Sequence, residues 1–394
     1  MRILDLSVYG VHPARSAGHL AILEPLRYLA QQGHEVDILS LGLRSFEKRF
    51  PRRFQVEIAP RLRETRLVSA LSLLKAQLFG KTRFPPLTAA GAFAERSRPQ
   101  DTALVARADL VILESPWAFT FARTATRAPI LWIAHNQEAR LHQEVLREAG
   151  LLERAREIEG ECYREVDLVL PLHEADAKGL REDYGNRTLP LEILPLGCDI
   201  HPRTDPARRL AARESWGLHA DARVALFAGS AHAPNVRAAD RLEALAPDLA
   251  AAGWEILIAG SVRSAPRTFV GGRSTGPLAD LTSCYEACDL AVNPVEEGSG
   301  MNVKNLHAMA RGLPVLCSPV GARGFTSGEE TGLLEVDTGD LVTRLRELTA
   351  RPESVEALSI AAHETAQARY SWPAIVEARL AFMAAHLPTG STSG

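Results

Sequence analysis

The stretch from Glu296 to Pro319, "EEGSGMNVKNLHAMARGLPVLCSP", concentrates residue types that can handle a phosphate. Gly298 and Gly300 precede a helical pattern expected from about Met301 to Arg311. Lys304 falls in the first turn of that helix. A cation there opposes the helix dipole, which favours anions at the N-terminus. Glycines before a helix also leave backbone amides open to an anion. A diphosphate would satisfy both the lysine and the helix end. The plain alternative is a solvated surface charge. Val303, Leu306, Ala310 and Leu313 recur at helical spacing and should face a sheet. Lys304, His307 and Arg311 then share a neighbouring face.

Two further places have suitable chemistry. The strand-like "RVALFAG" ends in Gly229 and Ser230, followed by "AHAPN", where Asn235 is expected to cap the next helix. Small residues at a strand end let a ligand approach the backbone, although on its own this reads as a tight turn. The loop lacks the Gly-x-Gly-x-x-Gly fingerprint, which disfavours a nicotinamide enzyme. His135 ends "ILWIAH", the place for a cleft residue; taken alone, a histidine there is more often structural.

These residues sit between short apolar runs. "RILDLSV", "HEVDILSL", "DLVILES", "PILWIAH", "VDLVLPL" and "LEILPLG" read as strands in the first half. "RVALFAGS", "WEILIAGS", "DLAVNPV", "LPVLCSP" and "GLLEV" read as strands in the second. Near-continuous apolar strands between helical patterns mean parallel sheets covered on both faces, the doubly wound α/β arrangement. The series restarts near residue 223, so two such domains are expected, with ligands at the carboxyl ends of the strands. A polar, proline-containing linker with a short helix separates them. Three helical segments follow Asp340, and the tail "PTGSTSG" is expected to be disordered.

The chain has 394 residues and a net charge of −3, an ordinary globular composition that says little about partners. No apolar run reaches the roughly 20 residues of a membrane span. The N-terminus reads as a first buried strand and not as a signal peptide. The five cysteines have no metal or disulfide spacing; Cys284 and Cys288 read as small buried residues on one helix. A cytoplasmic location is expected. Residues 44–96 depart from the α/β rhythm and carry twelve basic against four acidic residues. Leu67, Leu71, Leu74 and Leu78 recur there at helical spacing. The segment reads either as a solvated helix face or as a surface for anionic lipid headgroups or an anionic acceptor. Without aromatic interleaving or a known module, nucleic acid is not expected.

"EEGSGMNVKNLHAMARGLPVLCSPVGARGF" resembles the nucleotide-binding half of GT-B glycosyltransferases, in particular the family-4-like, group 1 type. It matches their Gly-rich turn, "AMARGLPV" and "GARGF", and a lysine-bearing variant of the motif fits Lys304. "GSAHAPN", "PLGCD", "YSWPAIVEARL", "GVHPARSAGHLAILEPLRYLAQQGHEVDIL" and "IAHNQEARL" resemble other family segments, so the likeness covers most of the chain. It implies an acceptor domain over 1–198 and a nucleotide-sugar domain over 199–370. Residues 371–394 become a helix crossing back to the first domain, plus a tail, with the two domains facing a central cleft.

The resemblance implies a retaining, metal-independent transfer from a nucleotide sugar, with no other cofactor, to a glycan, lipid-linked or small-molecule acceptor. Lys304 and the amides of Gly300, Met301 and Asn302 would hold the leaving diphosphate. Ser230, with Gly229, would meet the phosphate. Glu297 would bind donor-sugar hydroxyls. His135 would contact donor sugar or acceptor, with Asn136 and Glu138 orienting its loop. Gly18, with Ser16 and Ala17, would form a loop closing on acceptor and diphosphate. Two departures stand out. His307 occupies the place of the family's ribose-binding glutamate, and the usual Arg and Lys of the first loop are absent, leaving Arg237 the nearest cation. A catalytically silent partner subunit and a GT-B-fold nucleotide-sugar epimerase therefore remain as rival readings.

Overall fold

The computed structural model describes residues 1–14, 17–41, 53–67, 99–148, 150–298 and 300–387. The chain divides into two units. One takes in Met1–Pro195 and the chain from Ile375 on; the other is Leu196–Ala374.

The first unit is built on β1 (Arg2–Ser7), β2 (Glu35–Leu41), β3 (Arg53–Ala59), β4 (Leu62–Leu67), β5 (Leu110–Leu113), β6 (Ile130–Ala134) and β7 (Leu168–Pro171). Their order across the sheet is β3-β4-β2-β1-β5-β6-β7. The second unit has β8 (Arg223–Ala228), β9 (Trp254–Ala259), β10 (Pro266–Phe269), β11 (Gly272–Thr275), β12 (Leu290–Asn293), β13 (Val315–Cys317) and β14 (Leu333–Glu335). Their order, β10-β11-β9-β8-β12-β13-β14, repeats the first sheet strand for strand. In each, only the first pair is antiparallel. The chain reverses its direction of progress beside β1 in one sheet and β8 in the other. That switch point is where open α/β sheets bind ligands.

The reason for these strands is visible in their burial. Every residue of "LVIL", "ILWIA" and "LVLP" is buried, as expected of parallel strands covered on both faces. The edge strand β3 instead carries Gln55 and Glu57 facing water, which protects an open edge from adding another strand. The two edge hairpins have no counterpart among the expected strands. Both are short and broken by polar residues, so neither has the continuous apolar run of a central strand. "LEILPLG" is not a strand either; Leu191 makes a single bridge to Val169.

The basic segment is described only in part. Arg61, Arg63 and Arg66 lie in the β3–β4 region and face Glu35, Asp37 and Glu64. The expected helix beyond Leu67 falls outside the described residues, as do the tail, Ser16 and Ser299. No helix among the described residues is long and apolar enough to cross a membrane.

Large aromatic residues anchor each core. Trp132 and Trp254 are fully buried. The Trp254 indole N–H donates to Leu345 O at 2.9 Å, tying β9 to the Leu341–Ala350 helix. Arg213, on the linker helix Pro206–Ser215, grips both Asp289 oxygens at 2.9 and 2.8 Å, and Asp289 also accepts from Val224 N. The "PLGCD" segment runs beside the start of the last helix, with Cys198 N donating to Tyr370 O at 2.7 Å. Gly197 is needed there because any side chain would strike the Trp372 ring. All five thiols are buried.

Candidate active site

Each unit brings its own candidate residues together at the carboxyl ends of its strands. In the second unit, β12 ends at Asn293 and the chain passes through Glu296, Glu297, Gly298 and Gly300 into the Val303–Met309 helix. This helix is shorter than expected at both ends. Gly298 (φ +123°) and Gly300 (φ +74°) adopt backbone that side chains rarely tolerate. Arg323 Nη1 donates to Gly298 O at 2.8 Å. Met301 is buried and packs against Gly324. Asn302 is the helix N-cap residue, and its side-chain amide donates to Val320 O at 3.2 Å. The "GARGF" turn therefore braces the glycine turn from behind.

Lys304 is half-buried. Its ammonium donates to Asn235 Oδ1 and lies 4.9 Å from the centre of the Phe227 ring. Asn235 in turn donates to Ser230 O and Oγ at 3.3 Å. Asn235 is not the helix cap: the helix runs Ala233–Ala251 with His232 at the N-cap and Pro234 in its first turn. That leaves the Asn235 side chain free to join Lys304 to the Gly229–Ser230 turn. Ser230 is exposed. Among the described residues no carboxylate pairs with Lys304, and burial pulls its pKa down to about 8. A cation held by neutral groups at a sheet switch point is ready for an anion.

Glu297 and Arg237 pair with each other at 2.5 Å on the surface, so each neutralises the other. Glu296 pairs likewise with Arg241. His307 is half-buried one turn along from Lys304. Burial, and then the charge of Arg311, push its pKa down to about 4. Arg311 stacks on Tyr285 at 4.7 Å and donates to His307 O. His307 is thus a neutral imidazole across the ordinary pH range, offering one donor and one acceptor.

Sequence reasoning passed over the support beneath this site. Buried Asn293 donates through Nδ2 to Asn305 Oδ1, and Asn305 Nδ2 donates to Gly321 O, both at 2.9 Å. The available clue was an asparagine at a position that helical spacing buries.

In the first unit, His135 follows β6 and pairs through Nε2 with Glu114, which follows β5. Glu114 is buried, as are Asp5 in β1 and Arg379 in the Trp372–His386 helix. Two buried carboxyls in one place do not both ionise. Burial first, and then the charge of Glu114, raise the Asp5 pKa well above the usual range. For Glu114, burial acts upward, but His135, Arg379 and Asp5 outweigh it and hold its pKa low. The polar Asp5 inside "RILDLSV" was a clue; Arg379 gave none.

The loop after His135 is fixed by a residue that sequence reasoning also missed. Glu159 accepts from Glu138 N at 2.6 Å, Ala139 N at 3.1 Å and the Tyr184 hydroxyl at 2.7 Å. Gln137 donates to Gly179 O and Asp183. Burial raises Glu159 to about 7. Gly18 lies in the first turn of the Ala17–Gln31 helix and not in a loop. Among the described residues, no group of three or more His, Cys, Asp or Glu side chains is placed to hold a metal.

Two repeated doubly wound sheets, one with a lysine held by a neutral asparagine beside a glycine turn at its switch point, define an α/β protein of two like units. Comparison with known proteins narrows the class. Residues 222–351 match the family model described as glycosyl transferases group 1, and residues 19–197 match the glycosyl transferase 4-like domain. The chain belongs to the group 1 glycosyltransferases of GT-B fold.

A D-inositol 3-phosphate glycosyltransferase of Saccharomonospora viridis is 29% identical over 285 residues, 66% of this chain. The match spans 65% of that relative's length. Among solved structures, sucrose-phosphate synthase of Thermosynechococcus elongatus is similar with a TM-score of 0.69 at 19% identity, covering 98% of this chain and 99% of that one. Anabaena HepE, solved with UDP and glucose, has a TM-score of 0.65 at 14% identity, covering 98% of this chain and all of its own. These two likenesses concern the fold.

Proposed function

We propose that this protein transfers a sugar from a nucleotide-sugar donor to an acceptor hydroxyl, with retention of configuration and without a metal ion. The observation that carries the reading is Lys304, half-buried, with no carboxylate partner among the described residues and linked through Asn235 to the Ser230 turn. As the bond from the sugar's anomeric carbon to the diphosphate breaks, charge grows on the leaving oxygens. Lys304 meets that charge in place of a metal, together with the open amides near Gly300 to Asn302. The acceptor oxygen forms the new bond to the anomeric carbon, and its proton leaves on the diphosphate. His307, neutral and beside Lys304, takes the ribose with one donor and one acceptor.

The nucleotide-sugar donor is supported by UDP and glucose in the HepE structure and by the family match. Acceptors to test first are phosphorylated polyols and sugars, since the named relatives are an inositol 3-phosphate glycosyltransferase and a sucrose-phosphate synthase. A cytoplasmic enzyme that docks on an anionic membrane through residues 44–96 extends the reading, on charge composition alone.

The test is a thermal-shift and hydrolysis screen with UDP-, GDP- and ADP-sugars, followed by product NMR for anomeric configuration. A nucleotide sugar that stabilises the fold and yields a retained glycoside with EDTA present is the expected result. Failure to bind any nucleotide would overturn the reading. Sedimentation with anionic and neutral liposomes tests the membrane contact.

A further inference from the structure

The His135 cluster has a feature that its proposed contact with substrate does not explain. His135 uses Nε2 to meet Glu114, whose side chain is only 4% exposed. An ionised carboxylate has no hydrogen to give, so the hydrogen between them belongs to the imidazole. In the neutral ring this leaves Nδ1 as an acceptor.

We propose that Glu114 is a positioning residue that fixes His135 as the Nε2–H tautomer, so that Nδ1 accepts a hydrogen bond from a substrate hydroxyl. The inference rests on the proposed glycosyl transfer for the identity of that hydroxyl, but not for the tautomer.

Three features of the cluster support the assignment. Asp5, the second buried carboxyl, holds its proton, so a single negative charge remains and it sits on Glu114. Arg379 is 5% exposed, and the charges it feels are those of Glu114 and Asp5. The backbone beyond His135 is pinned by Glu159, which leaves the ring's direction to Glu114. Other titratable groups around the cluster are Tyr9 after β1, Glu64 on β4 and Glu138 after β6. Of these, Tyr9 is pushed further from ionising by burial and by the nearby carboxylates. Glu64 is occupied by Arg66, Ser40 and the amides of Val11 and His12.

The direct test is long-range 1H–15N NMR on 15N-histidine protein between pH 6 and 9, with His135 assigned by its loss in His135→Gln. The expected result is Nε2–H for the neutral ring. In Glu114→Gln, whose amide can either give or accept, the His135 signals should move toward a mixture of tautomers. Turnover in that variant should fall about tenfold or more at an unchanged melting temperature. If Glu114→Gln fails to fold, the wild-type spectrum still decides the tautomer. An Nδ1–H ring, a ring doubly protonated to pH 9, or an unchanged spectrum in Glu114→Gln would each overturn the inference. Because the spectra need no substrate, these outcomes are separate from failure of the glycosyl-transfer reading.

Discussion

Lys304 and Asn235 lie 69 residues apart in sequence, and their hydrogen bond joins the first turns of the two helices that follow β8 and β12 at the second sheet's switch point. It gives the lysine a neutral partner, which holds its position without cancelling its charge. An aspartate there would do both.

Asn235→Asp is therefore expected to weaken binding of a nucleoside diphosphate by about tenfold or more. The new carboxylate pairs with Lys304 and repels the ligand. Calorimetry with UDP, or whichever nucleotide the screen selects, measures it. Asn235→Ala should cost less, because it removes a hydrogen bond and adds no charge. Equal effects of the two variants would contradict the charge argument.

The depressed pKa of Lys304 sets a pH dependence. Its folded value is about 8 against an ordinary 10.5. Between these values the unfolded chain holds a proton that the folded chain does not, so the ligand-free protein should gain stability as pH rises from 8 to 10.5. Binding of a diphosphate should weaken over the same window, by up to about tenfold per pH unit, because the lysine must regain its proton. Lys304→Met should remove both trends and lower turnover by about a hundredfold. Melting curves and binding titrations from pH 7 to 10 check this.

His307 behaves in the opposite pH range. Its folded pKa is about 4 against 6.5 unfolded. The unfolded chain takes up the extra proton between those values, so stability should fall as pH drops from 6.5 toward 4. His307→Gln should flatten that part of the melting-temperature curve. No limb at pH 6 to 7 in nucleotide binding should trace to His307. A limb there that disappears in His307→Gln would mean the ring is exposed to charge in solution.

Asn305→Leu should cost about 2–4 kcal/mol in stability, since it leaves Asn293 Nδ2 and the Gly321 carbonyl buried without their partner. Denaturant melts of the wild type and variant give the difference. Glu297→Gln, on an exposed ion pair, should change stability by less than about 1 kcal/mol. If Glu297 also holds donor-sugar hydroxyls, kcat/KM in that variant falls while the melt does not move.

The sequence carried the central strands of both sheets, the linker and the helical end of the chain. Buried parallel strands must be apolar along their whole length, and that leaves a one-dimensional trace. "ILWIA" and "LPVLC" could be little else. Edge hairpins leave a weaker trace, because half of each faces water. The glycine turn, Lys304 and His135 were also legible, as each combines an unusual residue with a recognisable place at a strand end or helix start.

Tertiary structure decided the partners. Asn235 was a helix cap by pattern and became the lysine's neighbour, because Pro234 placed the helix start earlier. Glu297 and Arg237, each a candidate for the ligand, were found bound to one another. Gly18 moved from loop to helix. The buried set of Asp5, Glu114, His135 and Arg379 draws on β1, β5, β6 and the last helix, separated by up to 374 residues of chain. Periodicity reports which face of its own element a side chain occupies. It says nothing of which distant side chain shares that space, and it is this shared space that pushes the Asp5 pKa up while holding Glu114 low, and that gives Lys304 a neutral partner in Asn235.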